Sequence, residues 1–349
     1  MLVDRHGIAS RLSSSPGPTR LWRLTHPDAV RVRLARRSVA AMERLSARAG
    51  RDVFLRRGLL WRDDGALDAV IAALAAEDVE HEVVEAADVG RYFPGLRADD
   101  RSAVWQREAG PVLAAVSMAA QHELLLAAGG TTHLGDEVQE IEAYGGGWRL
   151  RGRDGLQLEA DRVVLAPGPG AVRLLPGLGV DLPLRPVLEQ VVHLGGPKDT
   201  DLPCLYDGPT ATQPGMYAMP TPRLGYKVGL DKPLRALVDG DDDRTPDPAL
   251  TELARLRVER DLAGIDPVVV DAQVCSWTES PDGRFVVDVL PSGIVLACGD
   301  SGEGFKFSAL MGLVLADLAE GKPPDEDVAT FGLHRFGKTS SPAPHALGR

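Results

Sequence analysis

Apolar residues recur every three or four positions between 29 and 49 (Val32, Leu34, Val39, Met42, Leu45), and Gly50 follows. That spacing predicts one face of a helix with a glycine stop. Similar patterns predict helices over 64–77 and over 117–128, the second closed by Gly129 and Gly130. Elsewhere the period falls to two. Residues 54–61 and 83–85 read as strands, and 187–194, 215–219 and 225–230 read as a mostly antiparallel sheet. Residues 131–134, 137–144 and 148–151 read as a meander turning at Gly145, Gly146 and Gly147. An apolar strand entering a glycine or loop turn occurs at 2–4, 162–170 and 294–304, the last followed by a helix from Ala309. Such a discontinuous pattern arises when a second, antiparallel-sheet domain is inserted into a dinucleotide-binding domain. The expected fold is therefore α/β (α+β): 1–53, 114–187 and 281–349 form a Rossmann-like cofactor domain, and 54–113 and 188–280 form a substrate domain.

Composition narrows the function classes. The chain has 349 residues, 44% of them hydrophobic, with a net charge of −11, which disfavours a nucleic-acid partner because phosphate binding needs a basic face. The arginines of 31–37 read as a solvated helix face. No run approaches the ~18 apolar residues that span a bilayer, and 1–20 lacks the apolar core of a signal peptide. The expectation is a cytoplasmic enzyme without membrane partners. Cys204, Cys275 and Cys298 are widely spaced, which fits neither a disulfide framework nor a metal site.

Several residues carry two readings from their surroundings alone. Asp4 is either an ordinary turn residue or an acid placed for ribose hydroxyls. Arg23 and Lys227 are either solvent-facing cations or anion donors. Lys306, between Phe305 and Phe307, is costly to bury unless it faces an anion or a cavity. Cys275 is either an inert buried thiol or a reactive one.

The run Gln273-Val-Cys275-Ser-Trp277-Thr, the later Asp282-Gly-Arg-Phe285, and Cys298-Gly-Asp-Ser-Gly302-Glu-Gly304-Phe-Lys306-Phe-Ser308 closely resemble the monomeric sarcosine oxidase and N-methyltryptophan oxidase family. This family belongs to the D-amino-acid-oxidase-like FAD enzymes, and the similarity runs from Leu2 to about residue 335. The resemblance implies FAD bonded through Cys275 and cradled by Gly302, Gly304 and Lys306, with Gly168 in a second glycine turn. It also implies Asp4 on the adenosine ribose and Arg20 over the flavin. By the same analogy Arg23 and Lys306 hold a substrate carboxylate, Lys227 promotes reaction with oxygen, and Tyr217 is an active-site tyrosine. The implied activity oxidises a secondary or cyclic α-amino acid to an imine with release of hydrogen peroxide; no metal is involved. A dehydrogenase using another acceptor, or a remnant without cofactor, are the alternatives. The chain departs from the family where two histidines are usual, carrying Glu303 and Asp231 instead. This puts sarcosine in doubt and suits a substrate with a cationic or hydrogen-bond-donating group. It also begins after the family's first strand, G-x-G-x-x-G turn and helix. From this the sequence predicts open edges at 2–3 and 294–298, an internal start at Met1, and poor solubility or loss of FAD.

Overall fold

The computed structural model describes residues 1–197 and 201–337. The helix predicted over 29–49 forms as Ala29–Ala49 because both ends are locally satisfied. Asp28 accepts the Arg31 amide at 2.9 Å, and Gly50 takes the left-handed turn at φ 65°. Its buried stripe, including Val32, Leu34 and Met42, packs on the helix Gly304–Ala319. The two are also joined by the Ser38 hydroxyl, which donates to the Lys306 carbonyl.

Among the described residues the largest sheet has nine strands, with the short Arg235–Ala236 at one edge beside Arg185–Leu194. Arg185–Leu194 lies beside both Gly225–Leu230 and Val269–Glu279. From Gly225–Leu230 the order continues through Met216–Thr221, Cys204–Asp207, Leu59–Arg62 and Ala103–Gln106 to Glu82–Val84. All these pairs are antiparallel except Cys204–Asp207 with Leu59–Arg62. Mixed and antiparallel sheets with flanking helices make this the α/β class expected. The strand read from 54 starts at Leu59, because Gly58 at φ 74° breaks the extended path and Phe54 makes only an isolated bridge to Val112.

Parallel pairing appears in two smaller sheets. Leu2–Asp4 pairs with Thr132–Leu134, so the latter does not belong to the meander, which is Val138–Tyr144, Gly147–Gly152 and Gln157–Ala160. Val295–Cys298 lies between Val164–Leu165 and Val286–Val289. The open edge expected at 294–298 is therefore corrected: both sides of that strand are covered, and Val164–Leu165 takes the edge. The C-terminal helix also starts earlier than Ala309. Ser301 and Gly302, at φ 48° and 75°, complete the turn by themselves, and Gly304 to Phe307 become the first helical turn. Among the described residues no helix is long and apolar enough to cross a membrane. Residues 338–349 of the expected cofactor domain lie outside the described residues.

Candidate active site

Residues paired across strands share a sheet face. Tyr206 pairs with Tyr217, Tyr217 with Gly229, Val191 with both Gly229 and Gln273, and Glu189 with Cys275. One face therefore presents Tyr206, Tyr217, Lys227, Glu189 and Cys275 together. Gly229 makes room in the middle: a Cβ there would come within 2.2 Å of the Tyr217 ring. The ring lies across that gap, and its hydroxyl donates to Glu189 at 2.8 Å. Burial raises both the Tyr217 phenol and the Glu189 carboxyl. Cys275 is also raised by burial, with Arg20 opposing the shift. Lys227 is buried and donates to the Thr19 carbonyl at 2.8 Å; burial and the nearby Arg20 push it down to about 7.

Facing this sheet is the strand Thr19–Trp22, paired with Gly110–Leu113. Arg20 donates to the Thr19 and Ser14 carbonyls and lies over the Phe305 ring. Arg23 lies over the Tyr206 ring, 5.7 Å from its centroid. The turn Gly299–Gly302 then places the helix start against both. Asp300 accepts the Thr278 amide and packs so closely on Gly304 that a Cβ there would approach it to 2.8 Å.

Lys306 and Arg23 do come together, as a pair of carboxylate donors requires, but they share a resident carboxylate. Glu303 lies 3.1 Å from Lys306, 3.8 Å from Arg23, 3.6 Å from Arg31 and 3.8 Å from His26. Burial works to raise the Glu303 carboxyl, yet the cationic Lys306, Arg23 and Arg31 hold it far below the usual range. Burial brings Lys306 down to about 8 although Glu303 opposes the shift. His26 is fully buried with neither ring nitrogen hydrogen-bonded, and burial keeps it neutral well below its ordinary value. Asp231 opens toward the cavity and accepts the Tyr206 hydroxyl at 3.3 Å.

Except for His26 and Arg31, which sit behind the wall, these charged and aromatic groups line one cavity of about 1590 Å³, well above the roughly 300–1,000 Å³ of common small-ligand pockets. It extends to Asp4, whose Oδ1 closes a turn by accepting the His6 and Gly7 amides at 2.8 and 2.6 Å. Gly168, at φ 54°, lines the wall near Ser14. Sequence reasoning missed Glu189, His26 and Tyr206. Glu189 had a readable signal, since an acid inside the largely apolar 187–194 strand needs a partner. His26 and Tyr206 carried no such mark.

A mixed α/β frame bringing cations, a thiol and a glycine turn onto a cavity of this size defines a cofactor-dependent oxidoreductase. Residues 1–318 match the DAO family, described as FAD dependent oxidoreductase, and the chain belongs to that family. It is similar to monomeric sarcosine oxidase of Streptomyces avermitilis, 28% identical over 91% of this chain and 86% of the relative. It is likewise similar to N-methyl-L-tryptophan oxidase of Citrobacter koseri, 24% identical over 96% of this chain and 92% of the relative. The open form of NikD, an unusual amino acid oxidase, shares the fold with a TM-score of 0.81, 24% identity and coverage of 95% and 90% of the two chains.

The cavity suits FAD on its own evidence. Arg20 and Lys227 offer cationic donors to it while donating only to backbone carbonyls. The Ser308 hydroxyl, on the lining helix, is shielded from solvent and has no partner. At Gly302 the wall is bare backbone facing the Trp277 ring. Flat aromatic and anionic groups match such walls.

Proposed function

We propose that this chain uses FAD to oxidise a secondary or cyclic α-amino acid, giving an imine and hydrogen peroxide. The observation carrying this reading is the convergence of Arg23, Lys306, Lys227 and Cys275 on one cavity. When bound, FAD supplies the acceptor for two electrons from the C–H bond beside the nitrogen and passes them to oxygen. Cys275 would hold it through a thioether, with Gly302, Gly304 and Ser308 on the helix side, Gly168 on the opposite wall and Asp4 toward the ribose. Arg23 and Lys306 orient the substrate carboxylate, and Glu303 restrains both so that they hold one geometry before substrate arrives. Tyr217, fixed by Glu189, closes the wall beside the reacting carbon. Lys227 places a positive charge where oxygen acquires a negative one.

The test uses purified holoprotein. Acid precipitation should leave the pellet yellow, and Cys275→Ser should release the colour into the supernatant; complete release from the wild type overturns the covalent link. Under nitrogen, a secondary amino acid should bleach the flavin, and admitted oxygen should yield one peroxide per imine. Arg23→Met or Lys306→Met should weaken amino-acid binding by ~2–4 kcal/mol, the loss of a desolvated charge-assisted contact. Equal turnover of an amino acid and its decarboxylated analogue would refute the carboxylate role, and bleaching without peroxide would indicate a dehydrogenase.

A further inference from the structure

The substrate end of the cavity contains two carboxylates in unequal circumstances. Glu303 has four basic groups within 4 Å. Asp231 has no cation within ion-pair distance among the described residues, and its hydrogen-bond donor is the Tyr206 hydroxyl. Tyr206 is itself fixed: its ring stacks on Trp61 with centroids 5.7 Å apart and planes within 10°. Arg23 lies over the same ring. Arg23 and Asp231 therefore share one immobilised tyrosine, the cation over its ring and the carboxylate at its hydroxyl, both lining the cavity.

The charge balance follows from these partners. Arg23, Arg31 and Lys306 pair with Glu303, and Arg31 also with Asp28 at 3.5 Å; Asp231 stands outside these ion pairs. A substrate that brings only a carboxylate leaves the cavity with an excess anion. One that brings a carboxylate and a second cation leaves it balanced, and the vacant anionic partner is Asp231. The tyrosine between them adds an aromatic surface that favours a passing cation.

We propose that Asp231, presented by Tyr206 opposite Arg23, receives a cationic group of the substrate, so that the preferred amino acid carries an ammonium or guanidinium on its side chain or N-substituent. This rests on the amino-acid reading above. The side chain would run from the carboxylate at Arg23 and Lys306 across Tyr206 to Asp231.

The experiment titrates holoenzyme under nitrogen with Nα-methyl-L-lysine and Nα-methyl-L-norleucine, followed by calorimetry and by flavin absorbance. The lysine derivative should bind at least tenfold more tightly, and Asp231→Asn should erase the difference. That variant keeps the side-chain shape and an acceptor for Tyr206, so the fold is not at risk. Asp231→Lys should shift preference toward Nα-methyl-L-glutamate. Equal affinity in the wild type, a preference that survives Asp231→Asn, or absence of binding by both compounds would overturn the proposal. Bleaching by both derivatives with equal affinity would overturn it while keeping the amino-acid reading. Selective binding without bleaching would keep it and overturn that reading instead.

Discussion

At the scale of single residues, burial decides which charges are available. Lys227 is an ammonium below about pH 7 and neutral above, since burial favours the uncharged amine. The oxygen half-reaction, followed by stopped-flow reoxidation of reduced enzyme, should therefore slow as pH rises through about 7. Lys227→Met should lower it on the order of 10²-fold and leave it flat with pH. A wild-type rate independent of pH would remove Lys227 from that role. Which single residues line the cavity was partly legible. Arg23, Lys306 and Cys275 lay in recognisable runs, and the structure brings all three to the cavity. The occupation of the two cations by Glu303 was not legible, because a contact between 23 and 303 depends on the packing of distant segments.

At the scale of elements, the strand Gly225–Leu230 works because one of its residues has no side chain. Gly229→Ala would drive a methyl into the Tyr217 ring, forcing it off Glu189. The expected cost is ~1–3 kcal/mol by urea unfolding, the usual range for overpacking. A double-mutant cycle with Tyr217→Ala should recover most of it, and additive effects would show that the clash is relieved elsewhere. The helix Ala29–Ala49 was legible from its apolar stripe and its glycine stop, both local, while the Asp28 cap came only with the structure. The start of the helix at Gly304 was not: glycines signal a turn in sequence, and only the positive φ of Ser301 and Gly302 shows that the turn was already complete. Pairing of Leu2–Asp4 with Thr132–Leu134 was equally hidden, because short parallel strands leave no local trace of their partner.

At the scale of the whole molecule, buried charge ties distant segments together. Asp207 accepts Arg62 at 2.8 Å and Arg257 at 2.7 Å and lies 2.8 Å from Arg101; Arg257 also meets Asp261 at 2.5 Å. Asp207→Ala strands several arginines and should destabilise the protein by ~3–5 kcal/mol in urea unfolding; a loss under 1 kcal/mol would mean that water solvates them. Buried His193 has no hydrogen-bond partner on either ring nitrogen, and burial pushes it down from 6.5 to about 4. The unfolded chain binds the proton first. Its contribution is thus complete above pH 6.5 and lost as pH falls toward 4, on the order of 3 kcal/mol. His193→Leu should flatten that part of the stability profile in thermal scans between pH 7 and 4, and an unchanged slope would show that other groups cause it.

The cluster of Arg23, Glu303 and Lys306 joins an early strand end to the helix Gly304–Ala319. A ribosome delivers the arginine about 280 residues before its counter-ion. Until then the strand Thr19–Trp22 and Arg23 just after it have no opposite wall, and the cavity lacks the helix Gly304–Ala319. Contacts of such long sequence separation close late and slowly. Premature termination anywhere before residue 303 therefore yields a product that cannot assemble this cluster.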